Sequence, residues 1–144
     1  MTTIDFYTRV SDRLDVAARI VAKAYAAHGN VRVLTPDRAT TDAIDRLLWL
    51  QTALSFLPHC RMDSVLAAET PIWVDETCDH NGPCAVLVNL SAAPPPFFSR
   101  FERLAEIVGT DEADITAGRE RFRFYRERGY ELRTHNLEER SSDR

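Results

Sequence analysis

The chain has 144 residues, of which 44% are hydrophobic, and a formal net charge of −4. This size and composition indicate one globular domain with a single core, and the acidic balance argues against a domain that coats nucleic acid, because such a domain carries a basic face. No window reaches the roughly 18 apolar residues of a membrane span, and the N-terminus has no secretory pattern, so we expect a cytoplasmic protein without a membrane contact.

The N-terminal third of the chain predicts alternating strands and helices. Residues 4–10 favour a strand, and the helical spacing of apolar residues over 14–27 predicts a helix that ends before Gly29. VRVL at 31–34 has the composition of a buried strand, and Pro36 indicates the first turn of a second helix. This β-α-β-α order is typical of a parallel sheet.

The rest of the chain predicts two more strands, two helices and a polar tail. The strands are IWV at 72–74 and AVLVNL at 85–90, and the last helix runs from about residue 111 to residue 128. The other helix is predicted to begin near Pro96, and its apolar stripe consists of Phe97, Phe101, Leu104 and Val108. The polar composition of residues 132–144 predicts a mobile tail.

The predicted fold class is therefore α/β, with one domain over residues 1–131 and a mostly parallel sheet flanked by helices. Sheets of this kind often bind nucleotides, but phosphates need a glycine-rich turn at a helix N-terminus. The two strand-to-helix turns are VSDR and TPDR, and the five glycines are scattered. The sequence thus predicts no phosphate-binding loop and disfavours a nucleotide site.

The three cysteines are Cys60, Cys78 and Cys84, an odd number without regular spacing, which argues for reduced thiols. CDHNGPC at 78–84 separates its two cysteines by five residues, which is poor spacing for structural zinc. No acid that would orient a Cys-His pair can be named. We expect no metal and no cofactor; a small α/β enzyme with a thiol or nucleotide site remains the alternative function.

The segment RERFRFYRERGYEL at 119–132 contains five arginines and four aromatic residues. On a helix it forms an apolar stripe with an arginine edge; the stripe is Ile115, Gly118, Phe122 and Tyr125, and the edge is Arg119, Arg123 and Arg126. The stripe either packs on the sheet beside a solvated rim or forms part of a groove for a peptide with an acidic and aromatic end. Stacking of single-stranded DNA on these rings is disfavoured by the net charge.

Four passages resemble one family, the chi subunit of bacterial DNA polymerase III holoenzyme, a component of the clamp-loader complex. They are DFY at 5–7, AIDRLLWLQTALSFLPH at 43–59, VLVNL with the continuation PPPFFSRFERLAEIV, and RERFRFYRERGYEL. The resemblance implies a Rossmann-like fold without a phosphate loop and no catalytic activity. It also implies a bridge between the acidic C-terminal tail of single-stranded-DNA-binding protein and, through the psi subunit, the clamp loader.

The resemblance assigns four residues to the pocket for that tail. Arg119 matches the basic anchor, Phe122 the aromatic position three residues later, Trp49 another wall and Val108 an apolar lining position. Some family members have a lysine where this chain has Ile115. Each of the three apolar residues could instead belong to the core.

The resemblance assigns the psi-facing surface to the segment that ends the second helix. Within SFLPH at 55–59, Phe56, Leu57 and Pro58 are the implied psi contacts. A large ring followed by proline could equally be a buried loop plug. We expect His59 to be a hydrogen-bonded loop residue rather than a ligand or base.

Overall fold

The computed structural model describes residues 2–51, 59–60, 72–76, 85–95 and 97–136. In chain order the elements are β1 (Thr3–Val10), α1 (Arg13–His28), β2 (Val31–Leu34), α2 (Arg38–Gln51), β3 (His59–Cys60), β4 (Ile72–Asp75), β5 (Val86–Asn89), a short 3-10 helix (Phe98–Arg100), β6 (Arg103–Gly109), α3 (Glu112–Glu127) and β7 (Glu131–Asn136).

The strands form one sheet in the order β3-β4-β2-β5-β6-β1-β7, and every described pairing is parallel. Helices α1 and α2 cover one face of the sheet, where Ala17, Val21, Ile44 and Leu48 join the larger hydrophobic cluster. Helix α3 covers the other face through a second cluster that includes Tyr125. This layered arrangement is Rossmann-like and confirms the predicted fold class.

Strands β1 and β6 are neighbours in the sheet, and the connections that leave them run in opposite directions across it. From β1 the chain crosses to β2 through α1, whereas from β6 it crosses in the opposite direction to β7 through α3. Because parallel crossovers are right-handed, the two helices lie on opposite faces. The loops that follow β1 and β6 therefore diverge at the carboxyl edge of the sheet, where α/β proteins usually bind their ligands.

Local capping explains where α1 begins and ends and where α2 begins. The Asp12 carboxylate accepts a hydrogen bond from the backbone N–H of Asp15, and Gly29 closes α1 with φ of 85°. Asp37 caps α2, because its Oδ1 accepts the backbone N–H of Thr40 at 2.8 Å. Pro36 therefore lies before the helix rather than within its first turn.

The prediction of a helix that begins near Pro96 is wrong. Residues 98–100 form a 3-10 turn and residues 103–109 form β6, between β5 and β1. Every residue from Leu104 to Gly109 is buried, because a central parallel strand is covered on both faces. Leu104 and Val108 pack under α3 while Ala105 and Ile107 pack under α1. Two of the four residues of the predicted helical stripe, Leu104 and Val108, therefore belong to a strand, and Phe97 and Phe101 flank the 3-10 turn.

The prediction of a tail from residue 132 is wrong for its first five residues. Residues 131–136 form β7, which pairs in parallel with β1 from Thr3 to Thr8. His135 stacks on Tyr7 with ring centroids 4.8 Å apart, and its Nε2 lies 3.1 Å from Asp5 Oδ1. An edge strand is half solvated, so its polar composition is compatible with a sheet. The rest of the predicted tail, 137–144, lies outside the described residues.

Candidate functional site

A cavity of about 330 Å³ opens at the carboxyl edge of the sheet, between the ends of β1 and β6 and the first half of α3. We call it the α3 cavity. It is lined by Phe6, Thr8, Arg9, Val108, Gly109, Ile115, Gly118, Arg119, Phe122 and Thr134. It lies where the connections that follow β1 and β6 run in opposite directions, which is the position that the topology favours for a ligand. Three of the four residues assigned to the tail pocket, Val108, Arg119 and Phe122, meet here.

Helix α3 lies close to β6 because a glycine faces the strand. A Cβ placed on Gly118 would approach Val108 Cγ2 at 2.8 Å, which is closer than two carbon atoms can pack. The absent side chain lets the helix approach Val108 directly. Gly118 is buried, and the neighbouring Arg119 points its exposed side chain to the cavity rim.

The wall of the α3 cavity is apolar and aromatic. The rings of Phe6 and Phe122 meet edge to face, with centroids 5.2 Å apart. Phe122 and Ile115 are only partly buried, although both belong to the hydrophobic cluster under α3. The guanidinium of Arg126 lies 5.8 Å from the Phe122 ring. A partly exposed apolar wall of this kind can accept an aromatic ring from a ligand.

Two arginines, Arg9 and Arg119, supply the positive charge among the lining residues. Both are exposed, and they come from different elements, β1 and α3. A guanidinium presents a planar set of N–H donors that can grip a carboxylate with two hydrogen bonds. The α3 cavity thus combines an apolar wall with a cationic rim.

The N-terminus of α3 is already occupied by acidic side chains. Asp111 Oδ1 accepts the backbone N–H of Asp114 at 2.7 Å, and the Asp114 carboxylate pairs with Arg13 at 3.2 Å and accepts the N–H of Gly109 at 3.3 Å. These carboxylates offset the positive end of the helix dipole. An anion that enters the α3 cavity is therefore attracted by the arginines, not by the helix terminus.

A buried polar network lies under α3, and its residues are not among those that line the cavity. Glu106 is fully buried, and it accepts hydrogen bonds from Arg121 Nε at 2.8 Å, from Tyr125 OH at 2.5 Å and from Asn89 Nδ2 at 3.0 and 3.1 Å. Arg121 Nη1 also donates to the carbonyl of Ala92 at 3.0 Å. Burial raises the pKa of the Glu106 carboxyl, and the Arg121 charge opposes that rise. Burial and the adjacent Glu106 also raise the pKa of Tyr125.

The periodicity of the sequence did not distinguish this network from its surroundings. Arg121 lies in a charged helix between the exposed Glu120 and the half-buried Phe122, yet its own side chain is 4% exposed. One signal was present, namely that Glu106 is a lone carboxylate within the apolar run LAEIV. A buried carboxylate needs a cationic or hydrogen-bond donor partner, so Glu106 predicts an inward-facing partner, such as an arginine, on a neighbouring element.

Trp49 is not brought to the α3 cavity. It lies in the last turn of α2, whose Ile44 and Leu48 pack on the face of the sheet opposite to α3. Its side chain is 53% exposed. Because α2 runs antiparallel to the strands, its C-terminal end also lies at the amino edge of the sheet. Trp49 is therefore not among the residues that line the α3 cavity, and its contact with a tail stays a prediction.

Several predicted positions lie outside the described residues. Phe56, Leu57 and Pro58 belong to this group, as do Cys78 and Cys84. Within the described ranges, no group of three or more His, Cys, Asp or Glu side chains is arranged to hold a metal ion. In that part of the chain, no helix has the length and apolar composition needed to cross a membrane.

Comparisons with known proteins connect this architecture to one family. Residues 1–133 match the sequence model described as DNA polymerase III chi subunit, HolC. The DNA polymerase III subunit chi of Pseudomonas aeruginosa is 34% identical over 141 residues, which cover 95% of this chain and 98% of that protein. The DNA polymerase III subunit chi of Haemophilus influenzae is 27% identical over 124 residues, covering 85% and 86% of the two chains. The chain therefore belongs to the DNA polymerase III chi subunit family.

Proposed function

We propose that this member of the chi family is a non-catalytic bridging subunit of the clamp-loader complex in DNA replication. In this proposal it binds the acidic C-terminal tail of single-stranded-DNA-binding protein and links that protein, through the psi subunit, to the clamp loader. The observation that carries the proposal is the α3 cavity, in which Arg119 stands beside the apolar side chains of Phe122 and Val108.

The proposed ligand chemistry follows from these side chains. The terminal ring of the tail packs against Phe122 and Val108, where burial of a phenylalanine side chain contributes about 1.5 to 3 kcal/mol. The free carboxylate of the same residue pairs with Arg119, and a hydrogen bond to a charged group contributes about 1.5 to 3 kcal/mol. Both anchors belong to one terminal residue, so a peptide that lacks either of them binds more weakly.

Calorimetric titration with a short acidic peptide ending in phenylalanine tests the proposal. Arg119→Ala is expected to weaken binding roughly ten- to hundredfold, and amidation of the peptide terminus is expected to weaken binding to the unaltered protein by a similar factor. In the Arg119→Ala protein, amidation of the peptide is expected to lower the affinity little further, because the pair between the arginine and the terminal carboxylate is already absent. Additive losses contradict a direct pair.

Arg123→Ala is the matched control. Arg123 is exposed on the same helix but is not among the residues that line the cavity. Its loss removes the same net charge, so it reports the general electrostatic contribution. If Arg123→Ala weakens binding as much as Arg119→Ala, the attraction is a property of the whole helix face rather than of the α3 cavity.

The psi linkage is proposed for Phe56, Leu57 and Pro58, which belong to a segment separate in sequence from α3. Phe56→Ala is expected to weaken capture of the psi subunit and leave the tail peptide affinity unchanged. Thermal melting separates a contact from a core role, because loss of a buried phenylalanine lowers the free energy of unfolding by about 3 to 5 kcal/mol. Loss of both binding activities together contradicts two separate surfaces.

A further inference from the structure

The end of β1 departs from regular strand geometry at the rim of the α3 cavity. In its pairing with β6, Tyr7 stands opposite Ile107 and Val10 stands opposite Gly109. Two residues of β1, Thr8 and Arg9, therefore stand opposite one residue of β6. This pattern is a β-bulge, which inserts one extra residue and re-aims the side chains around it.

The bulge changes which face of the sheet these side chains meet. Tyr7 and Val10 both pack with the cluster under α1 and α2, although a regular strand would turn residues three apart to opposite faces. The two residues between them, Thr8 and Arg9, both line the α3 cavity on the other face. The extra residue thus brings an arginine to a position that strict alternation would direct away from the cavity.

Arg9 also has an unusual backbone conformation. Its φ is 56°, and no other non-glycine residue in the described part of the chain has a positive φ. The left-handed region is disfavoured for residues with a Cβ, and such conformations are concentrated at binding and active sites. Asparagine or glycine would adopt it more readily than arginine. The backbone geometry alone therefore does not account for an arginine at this position.

We propose that Arg9 is a second anion contact of the α3 cavity and binds an acidic side chain of the peptide whose terminal carboxylate is held by Arg119. This inference rests on the proposed function, since it assigns a further determinant to the same site. The partner must then carry two separate carboxylates, one at its C-terminus and one on an Asp or Glu upstream. Ile115 lines the same cavity without a charge, so Arg9 and Arg119 together set its preference for such peptides.

The experiment combines protein variants with matched peptides in the full chain. Arg9→Asn removes the guanidinium and keeps a residue that tolerates positive φ, and Arg9→Lys keeps the charge without the planar fork. The peptides are an Asp-rich peptide ending in phenylalanine, versions with single Asp→Asn changes, and a version with an amidated terminus. Affinity is measured by calorimetry, and melting shows that each variant is folded.

Arg9→Asn is expected to weaken binding of the parent peptide roughly three- to tenfold, with a smaller loss for Arg9→Lys. At one Asp position of the peptide, the Asp→Asn change is expected to weaken binding to the unaltered protein. The same peptide change is expected to cause no further loss of affinity for the Arg9→Asn protein. Amidation of the terminus still weakens binding to Arg9→Asn in full, because Arg119 holds that group.

Three results would overturn the inference in distinguishable ways. If the parent peptide does not bind the unaltered protein, the proposed function fails and the role of Arg9 fails with it. If Arg119→Ala weakens binding but Arg9→Asn does not, only the role of Arg9 fails. If Arg9→Asn cancels the effect of amidation rather than that of an Asp→Asn change, both arginines hold the terminal carboxylate and no second carboxylate is recognised.

Discussion

Glu106 of β6 and Arg121 of α3 form an ion pair in which the two side chains are 0% and 4% exposed, with Nε and Oε1 2.8 Å apart. Tyr125 adds a hydrogen bond from the next turn of α3. These contacts fix the rotation of the helix on the sheet, because both helical residues point to the same carboxylate. Arg119 lies two residues before Arg121 and Phe122 one residue after it, so the ion pair also fixes the direction in which they face the α3 cavity.

Glu106→Gln is expected to lower the free energy of unfolding by about 3 to 5 kcal/mol, because it leaves the Arg121 guanidinium buried without a counter-charge. Urea unfolding gives the value. Glu120→Gln, an exposed change on α3, is the control and is expected to stay within about 0.5 kcal/mol of the unaltered protein. Equal stability of these two variants contradicts a structural role for the pair.

The contact between Gly118 and Val108 gives a prediction whose sign depends on the background. In the unaltered protein, Gly118→Ala forces a Cβ to within 2.8 Å of Val108 Cγ2, and overpacking costs about 1 to 3 kcal/mol. Alanine also favours the helix by about 1 kcal/mol over glycine. We expect a net loss of roughly 1 kcal/mol, the difference between these two effects.

When Val108 is first changed to alanine, the clashing methyl groups are absent and only the helical preference remains. Gly118→Ala is then expected to stabilise the Val108→Ala protein. Urea unfolding of the four proteins forms a double-mutant cycle. Destabilisation of the same size in both backgrounds would show that the close approach does not limit the position of α3.

The boundaries of α1 and α3 could be predicted from the sequence, because caps and helical spacing act locally. Asp12 and Gly29 mark the ends of α1, and Asp111 caps α3. The segment 103–109 could not be assigned by the same method, because a strand buried on both faces has a continuous apolar run with no period of two. Whether such a segment forms a strand depends on pairing partners that are distant in sequence.

The candidate site was partly predictable for a similar reason. Arg119, Phe122 and Ile115 share a face of one helix, so their proximity follows from spacing alone. Arg9 joins them only through a bulge at the end of β1, and a bulge has no clear sequence signal here. The position of Trp49 could not be predicted from the sequence, because its motif does not reveal which face of the sheet α2 covers.

Acidification provides a test of the cap on α2. The backbone N–H of Thr40 and then its hydroxyl donate to Asp37, and these hydrogen bonds lower the pKa of the Asp37 carboxyl. A lowered pKa in the folded state means that the stabilisation is present above the unfolded pKa and is lost as the pH falls through the folded pKa. Asp37→Asn keeps a cap oxygen that does not titrate.

The melting temperatures of the two proteins should therefore converge as the pH falls below about 4, the ordinary pKa of an aspartate, and through the lower pKa of the folded state, with the unaltered protein losing more. NMR titration of the Asp37 carboxyl checks the direction of the pKa shift independently. Parallel loss of stability in both proteins would mean that the charge of Asp37 adds nothing to the cap.

Trp49→Ala tests how far a bound tail extends from the α3 cavity. Trp49 lies on α2, which packs on the face of the sheet opposite to α3, and it is not among the residues that line the cavity. We expect Trp49→Ala to leave the affinity for a short peptide that occupies the cavity unchanged, while Arg119→Ala weakens it. Intact single-stranded-DNA-binding protein, whose tail is longer than the peptide, is expected to bind the Trp49→Ala protein more weakly only if that tail also passes over α2. Calorimetry with the short peptide decides the first point: a loss as large as that of Arg119→Ala would contradict the expectation that the peptide binds without contact to Trp49.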